Sequence, residues 1–423
     1  MGNEALEKAL RGYEEVGERY VAALEGRGLA FAEPHARDGE IARLRTRLEE
    51  LGVSVRNAGA SLSSGWLSKA CVECTGVNGS ETFSTTFACH RDCYFCFNHN
   101  LADYDEFVEN GCPWESVLAG SAKANASLAC VGLTGGEPLL SLEDSVRFLE
   151  RAGEVFPGAH RRMYTSGDLL DEGAACRLRT AGLDEIRFSV KAEDAPELQE
   201  KVLANMALAR EFIPDVVVEM PIIPGTDDLM RRLMERFSEI GIRGMNLLEF
   251  CFPFHNWDEF ARRGFLLRNP PFWPMYDYGY SGGLAVDGSE ELALELMCWA
   301  IGEGLGFGMH YCSLENKHRS EILQMNAGFG SSHPCYVLDE GDFFIKTAKA
   351  FGDDTRIVHD VLTAAGCRDF IEDGAARSLA FPPRYLRLLA RLDVSPAWSY
   401  NVLERREGGR YLREVALEPI SRN

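Results

Sequence analysis

The chain lacks any apolar run long enough to span a bilayer. Its best stretch, residues 292–309, is interrupted by Glu295 and Glu303. Positive charge is also scarce: 44 Lys and Arg stand against 65 Asp and Glu in 423 residues, a formal net charge of −21. That acidity repels phosphate and anionic lipid, so neither nucleic acid nor a membrane is an expected partner. No apolar signal core opens the chain. After Met1-Gly2, Leu6 occupies the position where a myristoylation signal needs Ser or Thr. A cytoplasmic protein is therefore expected. Cysteine, by contrast, is plentiful, with 13 residues. In a reducing compartment, clustered cysteines read as metal or redox ligands rather than disulfides. With 46% apolar and 26% charged residues, the composition excludes disorder as the main state.

The hydrophobic pattern changes along the chain. Leu6, Leu10, Tyr13, Val16 and Tyr20, then Ile41, Leu44, Leu48 and Leu51, recur at helical spacing, which predicts two amphipathic helices around a loop at Pro34. Residues 56–80 are rich in Gly, Ser and Asn and read as loop. Short apolar or β-branched runs then alternate with helical segments. Strands are predicted at 82–88, 130–134, 162–165, 185–190, 216–220 and 245–250, and one more at 307–311. Helices are predicted at 143–155, 169–181, 196–212, 228–240 and 289–302. Such alternation implies parallel βαβ units with right-handed crossovers, most economically a partial or complete (β/α) barrel. Three regions follow: an N-terminal helical extension and loop over 1–80, a barrel core over 81–315, and a mainly helical C-terminal extension over 316–423 with a break at Pro382-Pro383. Residues 252–288 form an insertion rich in Pro, Gly and aromatics.

The sharpest feature is Cys89-His-Arg-Asp-Cys93-Tyr-Phe-Cys96, directly after the first strand of the core. Three thiolates in so short a loop can hold a [4Fe–4S] cluster by three irons and leave the fourth open to a small molecule. A zinc knuckle is the competing reading, but it needs a fourth close ligand that the sequence does not supply. The next strand ends in Thr134-Gly135-Gly136-Glu137-Pro138, the third in Ser166-Gly167-Asp168, the fourth in Ser189-Val190-Lys191, and the fifth leads to Pro224-Gly225. Each alone reads as capping or turn chemistry. Together they collect polar groups at successive strand ends, where barrel active sites form.

This pattern resembles the radical S-adenosylmethionine (SAM) superfamily, and within it proteins like the activating enzymes of pyruvate formate-lyase. The resemblance covers about residues 82–250. It implies an α/β, TIM-like barrel of partial or complete form. It implies that Cys89, Cys93 and Cys96 bind the cluster. Phe95, Gly135, Gly136, Glu137, Ser166, Asp168, Ser189, Lys191 and Pro224 are the positions that match SAM contacts. The family's first step is reductive cleavage of SAM to methionine and a 5′-deoxyadenosyl radical, which abstracts hydrogen from a substrate. An electron donor such as a flavodoxin or ferredoxin is implied, as is an anaerobic setting.

Beyond the resemblance, Cys71-Val-Glu-Cys74 supplies half of a tetrahedral site. A second metal or cluster there, with Cys312 or Cys335 as further ligands, stands equal with unpaired reduced thiols. Glu249, Cys251, His310 and Cys312 are candidate catalytic groups beyond SAM, with the two thiols as hydrogen-atom donors. His255, Tyr311 and Glu315 are further candidate substrate contacts. The aromatic insertion is read as a lid or as packing over the barrel end. Three functions compete: radical chemistry on a small molecule, the expectation placed first; installation of a glycyl radical on a partner protein; and a non-catalytic electron-transfer or SAM-sensing role.

Overall fold

The computed structural model describes residues 3–76, 78–271, 283–327, 329, 333–406 and 409–420. They fall into two compact units, one built from residues 29–271 and 283–317, the other from 3–28 and the described residues after 317. The predicted N-terminal extension is thus divided between them.

The larger unit contains β1 (Ser54–Arg56), β2 (Ser61–Ser64), β3 (Ser80–Ser84), β4 (Cys130–Thr134), β5 (His160–Thr165), β6 (Glu185–Phe188), β7 (Asp215–Ile222), β8 (Gly244–Glu249), the short β9 (Cys251–Phe252) and β10 (Leu284–Ala285), and β11 (Gly308–Cys312). The main sheet has nine strands in the order β1-β2-β11-β8-β7-β6-β5-β4-β3. From β3 to β8 each strand pairs parallel with the next, and β11 pairs parallel with β8. β3 and β1 end the sheet without pairing to each other, so this is a partial (β/α) barrel. The connecting helices Leu142–Val155, Glu172–Thr180, Pro196–Phe212 and Asp227–Ile240 match the predicted periodicity within three residues at either end. Their apolar stripes, such as Met230, Leu233, Met234 and Phe237, join one core with the outward faces of the strands. The helix Asp38–Glu50 buries Ile41, Leu44 and Leu48 in that same core.

Two predictions change. Residues 56–80 are not simply loop. β2 pairs antiparallel with β11, and Lys69–Glu73 forms a short helix capped by Ser68. A four-residue Ser-rich strand has no periodic signal of its own; it exists because β11 offers it an edge.

The C-terminal region is not mainly helical. β12 (Val337–Leu338), β13 (Ile345–Phe351), β14 (Ile371–Asp373), β15 (Ser378–Phe381), β16 (Ala397–Arg406) and β17 (Gly409–Pro419) form a six-stranded antiparallel sheet. Only Asp354–Ala364 makes a helix of useful length after 336 among the described residues. The β16–β17 segments are rich in Leu, Ala, Arg and Glu, which favour helices intrinsically. Cross-strand pairing and burial of Val402 and Val415 outweigh that weak preference. The helix Glu4–Glu25, with Asn3 as its cap, appears as predicted. No helix among the described residues is long and apolar enough to cross a membrane.

Candidate functional site

The three cysteines sit on the loop after β3, at the C-terminal ends of the parallel strands. Cys89 is exposed, and Cys93 and Cys96 are half-buried. The loop closes on itself through the Cys96 N–H, which donates to the Cys93 carbonyl at 2.9 Å. Burial raises the pKa of all three thiols, and the nearby Lys191 ammonium partly offsets it. Thiols held protonated by burial need an external cation to make them ligands. The three sulfurs form no three-ligand group of single-ion spacing among the described residues.

The Gly135-Gly136 pair explains how this loop is placed. The Gly136 N–H donates to the Thr86 carbonyl at 2.9 Å, and the Glu137 N–H to the Ala88 carbonyl at 2.8 Å. A Cβ on Gly136 would overlap the Ala88 carbonyl oxygen, and one on Gly135 the Thr86 carbonyl oxygen. Gly135 also has φ of 114°, a region that favours glycine. The glycines therefore let β4's end abut the backbone that leads into Cys89. Gly136→Ala is expected to push residues 86–88 aside at a cost of about 1–3 kcal/mol. Chemical unfolding and iron content after anaerobic reconstitution should both fall; unchanged values would remove this role.

Glu137 is buried and accepts from Thr165 Oγ1 at 2.8 Å, Ser166 N–H at 2.7 Å and Ser166 Oγ at 2.6 Å. Ser166 also approaches Asp168 Oδ1 at 2.6 Å. Asp168 in turn accepts from His90 Nε2 at 2.8 Å, which ties the β5 end to the cysteine loop. Burial alone would raise the Asp168 pKa, but hydrogen bonds from Ser166 and His90 outweigh it and hold the carboxyl below its usual range. Arg91 pairs with Asp194. Lys191 Nζ lies 3.4 Å from Ser189 Oγ. Pro224 is half-buried in the turn after β7, beside Gly225 at φ of 84°.

Phe95 meets Tyr94 and Phe250 edge-on, with ring centroids 5.0 and 5.8 Å apart. Tyr94 and Phe250 continue into Phe260 and Phe265, and Phe252 packs on Phe260 and Trp257. Asn256 Nδ2 donates to the Tyr94 carbonyl at 3.1 Å. The described part of the insertion is thus packing that braces the cysteine loop. Phe272, Trp273, Tyr276, Tyr278 and Tyr280 lie outside the described residues. His255 stacks on His99 at 4.7 Å.

The four candidate catalytic residues do not converge. Adjacent residues of a strand point to opposite faces. Met245, Leu247, Met309 and Tyr311 join the core on the helix side, so Glu249 and Tyr311 share that outward face. The expectation that they contact substrate within the barrel is not supported by this orientation. His310 faces the interior. Its Nδ1 donates to Asn246 Oδ1 at 3.1 Å, and its Nε2 accepts from Ser61 Oγ at 2.9 Å. Cys312 is buried, accepts from Asn316 Nδ2 at 3.3 Å, and has its pKa pushed up to about 12 by burial. Cys251 is buried in β9, paired with Ala285 of β10.

A polar layer inside the barrel joins residues whose proximity the sequence did not show. Arg187 bonds Glu185 and Glu219, each at 2.5 Å, and Ser68 Oγ at 2.9 Å. Asn246 donates to Glu219 at 2.6 Å and to Cys71 Sγ at 3.3 Å. Arg187 Nη2 lies 3.5 Å from the same sulfur. Burial would raise the Cys71 pKa, but Arg187 and His310 overcome it and lower it to about 7. Cys71 and Cys74 belong to no three-ligand group of single-ion spacing among the described residues. The only advance signal was the polar pair Glu185 and Arg187 within an otherwise apolar strand.

The chain matches the family model for the radical SAM superfamily over residues 83–262. A putative glycyl-radical enzyme activating enzyme of Methanocaldococcus jannaschii is 30% identical over 306 residues, which span 70% of this chain and 77% of that protein. Pyruvate formate-lyase 2-activating enzyme of Escherichia coli is 31% identical over 140 residues, 30% of this chain and 45% of that protein. Among solved structures, Streptococcus suis SuiB bound to S-adenosylmethionine aligns with a TM-score of 0.38 at 14% identity, covering 54% of this chain and 49% of that one. A likeness that runs through three quarters of the Methanocaldococcus relative, with the cysteine loop and the glycine pair packed together at the strand ends, places the chain in the radical SAM superfamily.

Proposed function

We propose that this radical SAM enzyme is an activating enzyme that abstracts hydrogen from a glycine Cα of a partner protein, leaving a glycyl radical there. The observation that carries the reading is the 30% identity spread over 77% of a putative glycyl-radical enzyme activating enzyme. The small-molecule expectation has no comparable support.

The donor set suits the cofactors. Thiolates are the ligands that iron–sulfur clusters take, and Cys89, Cys93 and Cys96 would hold three irons. Together, the bound cluster and SAM supply one-electron cleavage of a C–S bond. The chain's own groups have four tasks. Lys191 places positive charge beside the thiolates. Ser166, Asp168 and Ser189 offer polar atoms to SAM at neighbouring strand ends. Glu137, already satisfied by Thr165 and Ser166, fixes the geometry of the β4 and β5 ends rather than standing free. Phe95 and its aromatic neighbours keep water from one side of the site. A flavodoxin or ferredoxin is the proposed electron donor.

The test is electron paramagnetic resonance. Reconstituted, reduced protein with SAM should raise a glycyl-radical signal on a glycyl-radical enzyme of the same organism, and deuterating that enzyme's glycine should remove its α-hydrogen splitting. If 5′-deoxyadenosine forms only with a small metabolite and no protein radical appears, the small-molecule reading replaces this one.

A further inference from the structure

A cavity lies on the helix-facing side of the sheet, away from the barrel interior. Its volume is about 270 Å³. The charged groups lining it are Asp38, Arg45, Glu249, Arg268, Glu290 and Glu315. Four carboxyl groups against two guanidinium groups make the lining acidic when all are ionised.

The cationic members are already engaged. Arg45 Nη2 and Arg268 Nη1 each bond Glu290 at 2.6 Å, one at each carboxylate oxygen. Glu249 is 4% exposed. Its Oε2 accepts from the Leu314 N–H at 2.8 Å. Its Oε1 has no hydrogen-bond partner among the described residues, and the nearest cation, Arg268 Nη1, stands 3.7 Å away. The buried Tyr311 hydroxyl likewise has no partner among them. A buried carboxyl oxygen without a hydrogen-bond partner is costly, and a donor entering the cavity would meet that unmet bond. Burial and the neighbouring Glu290 raise the Glu249 pKa to about 7, against the pull of Arg268. The lining, with four carboxyl groups against two guanidinium groups, disfavours an anion and favours a cation.

We propose that this cavity binds a small organic cation, an amine whose ammonium group donates to Glu249 Oε1. The inference does not depend on the radical reaction or on its substrate.

The probes are n-butylammonium and 1,4-diaminobutane, with butyrate as the anionic control, titrated calorimetrically into the full-length protein. At least one amine should bind, and butyrate should not. An ammonium bound to an ionised Glu249 expels its proton, so about one proton should be released per site at pH ~6 and almost none at pH ~8, with affinity about tenfold weaker at the lower pH. Glu249→Gln keeps the acceptor for Leu314 and should abolish both the pH dependence and most of the affinity. The proposal is overturned if neither amine binds, if wild-type binding releases no proton at the lower pH, or if butyrate binds in their place.

Discussion

Replacing Cys89, Cys93 or Cys96 singly by Ala is expected to abolish SAM cleavage, with 5′-deoxyadenosine formation falling at least ~10³-fold. Two thiolates cannot hold the cluster by three irons, and no other cysteine follows closely on the loop. Iron and sulfide content should fall with the activity. The fold should not. Cys89 is exposed, the other two are half-buried, and none belongs to the apolar core. Each substitution should therefore cost within about 0.5 kcal/mol of stability in the absence of the cluster. A variant that keeps more than about a tenth of the cleavage rate would remove that cysteine from the ligand set. The separation of the two readouts matters, because loss of activity through unfolding would say nothing about ligation.

The largest effect on stability is expected from Arg187→Ala. Arg187 is buried and holds Glu185 and Glu219 at once. Removing it strands the buried Glu185 and the half-buried Glu219, a loss of about 3–5 kcal/mol. The buried Glu185 shows how strong this field is. Burial would raise its pKa, yet Arg187, with hydrogen bonds from His160 and Ser68, holds it well below the usual carboxylate range. A carboxyl depressed in the folded state contributes stability above its unfolded pKa and loses it as pH falls through the folded pKa. Wild-type stability should therefore decline toward acid, and Arg187→Ala should flatten much of that decline. Denaturant unfolding at neutral and acid pH measures both. Arg187→Met, which fills the space without the charge, should be nearly as destabilising. An unfolding free energy for Arg187→Ala within about 1 kcal/mol of wild type would mean that the network adds little to the fold.

Much of the larger unit was legible because its signals are local. The helices 142–155, 196–212 and 227–240 follow from their apolar periodicity, and the parallel strands from their short apolar runs. The Cys89, Cys93 and Cys96 spacing and the Gly135-Gly136-Glu137 strand end were readable for the same reason, since both lie within a few residues of sequence. The glycines, though, also serve a purpose no local reading shows: they admit the backbone of residues 86–88.

The sequence by itself determined the barrel class, the Cys89–Cys96 loop and the set of strand ends around it, because those depend on spacing along the chain. Tertiary structure decided the rest. It made strands of 54–56 and 61–64 and a six-stranded sheet in the C-terminal region, since a strand exists only where a partner edge completes its hydrogen bonds. It turned Glu249 away from the barrel interior and His310 into it, since a strand's alternation fixes two faces but not which one the core will take. It also gathered Cys71, Arg187, Glu219 and Asn246 into one polar layer from four separate elements, because a buried charge persists only where distant parts of the chain bring it a partner.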